Sequence, residues 1–277
     1  MAIKRLARAK INLALHVTGQ RADGYHLLDS LVAFADVGDV MTFAPSDRLS
    51  LTISGDHGAG LPNGPENLIL RAARALHPTL GAAISLEKNL PIASGIGGGS
   101  ADAAATLHGL CELWNLPRPD PQTLLSLGAD LPVCIEGKPA RMQGIGDIVT
   151  PLTLPEAWVV LVNPGTAVST AQVFQTLETK TNLSMPRNIP PFANVQALAD
   201  FLRGQRNDLE YPALLQCPEI ASVLFDLENR NGCLLARMSG SGATCFGLFA
   251  DELAARQAAR MIRQSQKHWW TRAALLS

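Results

Sequence analysis

One stretch constrains this 277-residue chain more than any other: Pro91-Ile92-Ala93-Ser94-Gly95-Ile96-Gly97-Gly98-Gly99-Ser100-Ala101. Its glycines let backbone amides turn toward one point and let a bulky anion approach without meeting Cβ atoms. A strand over Ala82–Leu90 leads into the loop, and a helix beginning at Ser100 follows it. Ala103, Leu107, Leu110 and Trp114 lie on one apolar stripe of that helix, and Pro117 and Pro119 stop it. The unpaired N–H groups and positive dipole end of such a helix complete a phosphate cradle. No Lys-Ser or Lys-Thr follows the last glycine, so this is not a Walker A loop. No acidic residue ends a strand about 20 residues on, which sets aside the dinucleotide fingerprint. The Ser100 hydroxyl either caps the helix or ligates Mg²⁺.

The flanking pattern predicts a mixed α+β chain. Strands are expected over 6–17, 27–43 and 49–54, and a helix over 67–76. A short helix is expected over 121–127, a strand over Val133–Ile135, a turn around Gly144–Asp147 and a strand over 158–162. Beyond a polar, Pro-rich linker at Lys180–Pro191 come helices over 195–202, 219–227 and 252–264, with strands over 234–238 and 245–249. Helices and strands do not alternate as regular βαβ units, which favours α+β over a doubly wound sheet. At about 150 residues per domain the chain divides into two, at 1–150 and 151–277.

Composition narrows the function classes. Lys plus Arg number 23 against 24 Asp plus Glu, so no basic face calls for nucleic acid. No apolar run approaches the roughly 18 residues of a membrane span. The basic residues Lys4, Arg5, Arg8 and Lys10 precede an apolar run that Asn12 and His16 interrupt, and a buried first strand is expected there rather than a targeting peptide. Five widely spaced cysteines without a CxxC pair predict reduced thiols in a cytoplasmic protein.

Several other positions carry chemistry or a plain structural role. Lys10 lies in a predicted strand, where a lysine is either solvated or functional. Asp130, in Gly128-Ala129-Asp130-Leu131-Pro132, either caps a helix or acts as a base. Asp23-Gly24-Tyr25-His26 is a turn whose ring and imidazole suit a flat heterocycle. Ser239-Gly240-Ser241-Gly242 is either a hairpin turn or a second anion-binding turn.

Taken in order, Ala9-Lys10-Ile11-Asn12-Leu13, Arg21 to His26, Pro91 to Ala105, Gly128 to Pro132 and Ser239 to Ala243 resemble the GHMP kinase superfamily. Within it they are most similar to the branch acting on a cytidyl diphosphate alcohol. Ala93-Ser94 departs from the family, where many relatives carry further glycines. The resemblance implies an amino-terminal domain like domain 2 of ribosomal protein S5 and a ferredoxin-like carboxy-terminal domain. It implies ATP-dependent phosphorylation of the 2-hydroxyl of 4-diphosphocytidyl-2-C-methyl-D-erythritol, in the non-mevalonate isoprenoid route. Lys10 and Asp130 would then be catalytic. ATP would meet Pro91, Ile92, Ala93, Ser94, Gly95, Ile96, Gly97, Gly98, Gly99, Ser100 and Ala101, with Asn67 and Lys88 near adenosine and Mg²⁺ bridging the phosphates at Ser100. Asn12, Tyr25 and His26 would bind the cytidyl substrate, with Phe174 or Phe192 closing over the base. The partners implied are small molecules, with no nucleic acid and no membrane. The rivals are another kinase of the superfamily, acting on homoserine, mevalonate or a sugar, and a nucleotide-binding sensor without phosphoryl transfer.

Overall fold

In the computed structural model, which describes residues 2–277, the first apolar runs form two long strands, β1 (Ile3–Gln20) and β2 (His26–Pro45). There follow β3 (Ser50–Ser54), α1 (Leu68–Leu76), β4 (Ala82–Glu87), α2 (Gly98–Trp114), α3 (Pro121–Leu127) and α4 (Leu131–Glu136). Next come β5 (Ala140–Gly144), β6 (Ile148–Pro151), β7 (Ala157–Asn163), α5 (Thr170–Thr176), α6 (Val195–Arg203), α7 (Glu210–Gln216) and α8 (Glu219–Glu228). The chain closes with β8 (Cys233–Met238), β9 (Cys245–Phe249), α9 (Glu252–Ser265) and β10 (Trp270–Leu276). From Ala7 to Val17, β1 is almost entirely buried, as a first core strand requires.

The structure resolves into two compact units that are discontinuous in sequence. The first holds the chain up to Ala9, Val37–Ile92 and Gly97–Gly137; the second holds Lys10–Asp36, Ala93–Ile96 and Lys138–Ser277. Thus β1 and β2 each contribute one stretch to either unit.

In the first unit β3 runs parallel to β4, and β4 pairs antiparallel with the Val40–Pro45 part of β2. Helices α1 and α2 cover this sheet around Met41, Phe43, Ile84 and Leu86. Asn67 starts α1 by accepting the Ile69 amide at 2.9 Å, a cap worth about 1 kcal/mol. The Phe43 ring packs onto Gly109 of α2, leaving no room for a Cβ there. In the second unit β8, β9, β7 and β10 form an antiparallel run that reaches β2 through Leu276 and Ala35. There β2 also pairs with the β5–β6 hairpin. Helices α8 and α9 bury Ile220, Val223, Ala259 and Ile262 against that sheet.

Two expected elements differ. Val133–Ile135 is not a strand but the middle of α4, because Pro132 in the first turn suits a helix start and Gly137, at φ 57°, ends it. Helix α2 starts at Gly98 rather than Ser100, because Gly97 at φ 64° takes the capping position. Ser100 is therefore inside the first turn and does not cap. The expected linker Lys180–Pro191 has no helix or strand, but side chains of the second unit bind its backbone closely. No disulfide joins the cysteines among the described residues. Among the described residues no helix is long and apolar enough to cross a membrane.

Candidate active site

The glycine loop alternates its backbone sign: Ala93 has φ 49°, Gly95 φ 75° and Gly97 φ 64°. The first intrahelical bond of α2 runs from the Ala101 amide to the Gly97 carbonyl at 2.8 Å. The amides of Gly98, Gly99 and Ser100 thus precede the helical ladder, the arrangement an anion needs. A Cβ on Gly99 would meet nothing within 4 Å, so the crest of the loop is open.

The second turn, Ser239–Gly242, joins β8 to β9 as a hairpin and braces the loop within the second unit. Ser239 Oγ donates to the Gly95 carbonyl at 3.0 Å and accepts the Asn12 amide at 3.0 Å. The Lys10 amide donates to the Ile96 carbonyl at 3.0 Å, and the Thr244 amide donates to the Ser94 carbonyl at 3.1 Å. A Cβ on Gly95 would stand 2.6 Å from the Gly242 nitrogen, and one on Gly240 would stand 2.6 Å from the Gly95 carbonyl oxygen. Both turns therefore need glycine where they meet. Asn207 holds the brace in turn, donating to the Met238 and Gly240 carbonyls at 2.8 Å each. Nothing local in the sequence marks Asn207.

Lys10 is buried at 4% exposure, unlike an ordinary solvated strand lysine. Asp130, in the first unit, is half-buried at the start of α4, and its carboxylate does not cap that helix. Asn67 spends its side chain on capping α1 and on the Pro62 carbonyl at 2.6 Å. Lys88 lies within the first unit between two carboxylates, 2.5 Å from Asp39 and 2.7 Å from Asp102. Asp39 also accepts the Asn89 and Leu90 amides at 2.6 and 2.8 Å. A Cβ on Gly98 would stand 3.2 Å from the Lys88 ammonium, so this cluster lies directly behind the start of α2. Burial opposes the ammonium charge, but Asp102 and Asp39 together outweigh it and raise the Lys88 pKa. Burial pushes the Asp102 carboxyl up to about 7 despite Lys88, and the Asp39 charge adds to the rise. The sequence singled out Lys88 but gave no sign of its two partners.

On the β1–β2 side, Asn12 is 1% exposed. Its amide nitrogen donates to Ser30 Oγ at 2.8 Å, while among the described residues its oxygen has no partner. His26 begins β2 and stacks on Phe174 of α5, ring centroids 4.6 Å apart at 22°. Burial lowers its pKa, and the charge of Lys180 lowers it further. His26 Nε2 is likewise buried with no partner among the described residues. Tyr25 is 58% exposed at the tip of the β1–β2 turn, where Gly24 has φ 91°. Phe192 packs on Phe201 at 5.4 Å, so of the two aromatic candidates Phe174 is the one stacked on His26.

This chain matches the GHMP kinases N terminal domain over residues 67–152 and the GHMP kinases C terminal domain over residues 192–268. A 4-diphosphocytidyl-2-C-methyl-D-erythritol kinase of Cereibacter sphaeroides is 59% identical to it across 95% of both chains. The chain belongs to the GHMP kinases.

A kinase of the same description from Ruegeria pomeroyi is 55% identical over 98% of each chain. A crystal structure of 4-(cytidine 5'-diphospho)-2C-methyl-D-erythritol kinase is 34% identical, covers 99% of each chain and superposes with a TM-score of 0.78. The fold alone is shared with a homoserine kinase from Cytophaga hutchinsonii, 19% identical with a TM-score of 0.67 over 100% of this chain and 94% of that one. As a GHMP kinase the protein is a small-molecule kinase with ATP as co-substrate. Among the described residues no three His, Cys, Asp or Glu side chains cluster as a metal cage. Mg²⁺ takes oxygen ligands, keeps several waters and binds mainly through substrate phosphates. The half-buried Ser100 hydroxyl in the first turn of α2 fits as a single protein ligand.

Proposed function

We propose that this kinase transfers the γ-phosphoryl group of ATP to the 2-hydroxyl of 4-diphosphocytidyl-2-C-methyl-D-erythritol, a cytoplasmic step of the non-mevalonate isoprenoid route. The observation that carries this reading is the near-full-length identity to kinases of that description, combined with the Asp-Gly-Tyr-His turn beside Phe174.

In this reading the loop amides from Gly95 to Ser100 hold the ATP phosphates, and the α2 dipole adds to their pull. Mg²⁺, when bound, neutralises phosphate charge, with Ser100 as its protein ligand. Asn67 and Lys88 stand toward adenosine. Tyr25 and Phe174 face the cytosine ring, with His26 and Asn12 beside the substrate. With its pKa lowered, the His26 imidazole is neutral at pH 7 and keeps both a donor and an acceptor. Asp130 accepts the hydroxyl proton as the new O–P bond forms and the β,γ-bridging bond breaks, releasing ADP. Lys10 offsets charge on the group in flight.

The test is ADP release by the purified protein with Mg-ATP and the cytidyl diphosphate alcohol, against controls lacking the acceptor. Acceptor-dependent release is expected, with far weaker turnover of homoserine, mevalonate or galactose. Preference for one of those three, or ATP binding without turnover on any acceptor, overturns the reading.

A further inference from the structure

The segment after α5 has no regular structure, yet two buried devices of the second unit grip its backbone. At one end, Arg141 on β5 forms a fork with Asp29 on β2, both bonds 2.7 Å. The same guanidinium donates to the carbonyls of Met185, Pro186 and Arg187 at 3.2, 3.0 and 2.9 Å. Asp29 also accepts the Met185 amide at 2.8 Å. At the other end, His16 on β1 is 1% exposed. Its Nδ1 lies 3.0 Å from the Leu183 carbonyl, and its Nε2 accepts the Arg206 amide at 3.2 Å. Those partners require a neutral ring with the proton on Nδ1. Arg206 also donates to the Leu183 carbonyl at 2.5 Å, and Asp208 accepts the Val17 amide at 2.7 Å and the Asn182 side chain at 3.2 Å.

This pinned segment continues directly from the helix that carries Phe174, and its Lys180 acts on His26. We propose that residues 177–187 form a fixed wall of the acceptor-alcohol pocket, and that Arg141 and His16 are positioning residues that keep the wall and Phe174 against His26. The wall's role in binding rests on the function proposed above; the latch itself does not.

The charged groups facing His16 are Arg206 and Asp208, from the segment between α6 and α7, and Asp29 on β2. A proton on Nε2 would meet the Arg206 N–H and add a second cation beside the Arg206 guanidinium. Burial and then Arg206 set the His16 pKa below its usual 6.5. The latch is therefore complete above pH 6.5 and weakens as pH falls through the lowered folded-state value.

Hydrogen exchange on the whole protein, normalised to intrinsic rates, reads the latch without substrate. Protection at residues 178–187 should hold from pH 8 to 6.5, drop at lower pH, and lose that drop in His16→Gln. Arg141→Lys keeps a cation for Asp29 but cannot span three carbonyls. It should lose protection in the same segment and raise the acceptor KM by roughly tenfold, with the ATP KM little changed. Protection that is flat with pH in the native protein, or unaltered in Arg141→Lys, overturns the latch. A loosened segment with an unchanged acceptor KM and unchanged cytidine 5'-diphosphate affinity overturns the wall. Absence of acceptor-dependent ADP release in the unmutated protein counts instead against the proposed function and leaves the exchange result standing.

Discussion

The glycine loop and the β1–β2 side of the molecule are built from different materials. Around Gly95 the shape is made of backbone, with main-chain carbonyls, amides and hairpin glycines touching where no side chain fits. Around His26 it is made of side chains, namely a stacked imidazole and phenylalanine and an exposed tyrosine. In the function proposed above, a phosphate presents the same oxygens in every nucleotide, so fixed amides would serve it well, whereas a particular base needs particular rings. Substitutions in the two regions should thus separate in which substrate they affect.

The largest effect is expected where both substrates react. Asp130→Asn should lower kcat by roughly 10²–10⁴ with little change in ATP affinity, measured by steady-state ADP release. A near-normal rate would remove Asp130 from the role of base. Next comes Gly95→Ala, which puts a side chain at φ 75° and 2.6 Å from the Gly242 nitrogen. It should cost more than about 2 kcal/mol in denaturant unfolding and weaken ATP binding. Retained stability and ATP affinity would break the contrast drawn here. Tyr25→Ala should raise the acceptor KM by roughly fivefold through lost stacking, at about 1 kcal/mol, and leave the ATP KM unchanged. Equal losses on both substrates would argue against stacking. The smallest effect is Ala93→Gly, which relieves a left-handed backbone at φ 49°. Thermal unfolding should show a gain of at most about 1 kcal/mol, with ATP binding intact.

The same division governs what the sequence made legible. The loop and its helix could be read because their signals are neighbours in the chain: clustered glycines, then an apolar stripe. Only the helix start moved, since a left-handed Gly97 is a better terminus than a serine three residues on. Val133–Ile135 misled because three apolar residues suit a strand as well as a helix, and Pro132 and Gly137 decided between them. Helices α5 and α7 and strands β5, β6 and β10 went unread. Ala273 and Ala274 have little strand preference of their own and pair only because β7 lies beside them. The functional side chains divide likewise. Tyr25 and His26 belong to a compact motif, but Arg141 finds Asp29 across 112 positions and Asn207 finds Gly240 across 33. Such partners carry no local signature, so only the folded chain reveals them.

The bond from Ser239 to Gly95 spans 144 positions, which bears on how the enzyme is born. A ribosome will have delivered most of the polypeptide before the first glycine of the phosphate loop finds its brace. A nascent chain stalled short of Ser239 can already wind α2, yet it lacks the curve that aims those amides. If the loop holds nucleotide as proposed, that competence comes late in synthesis.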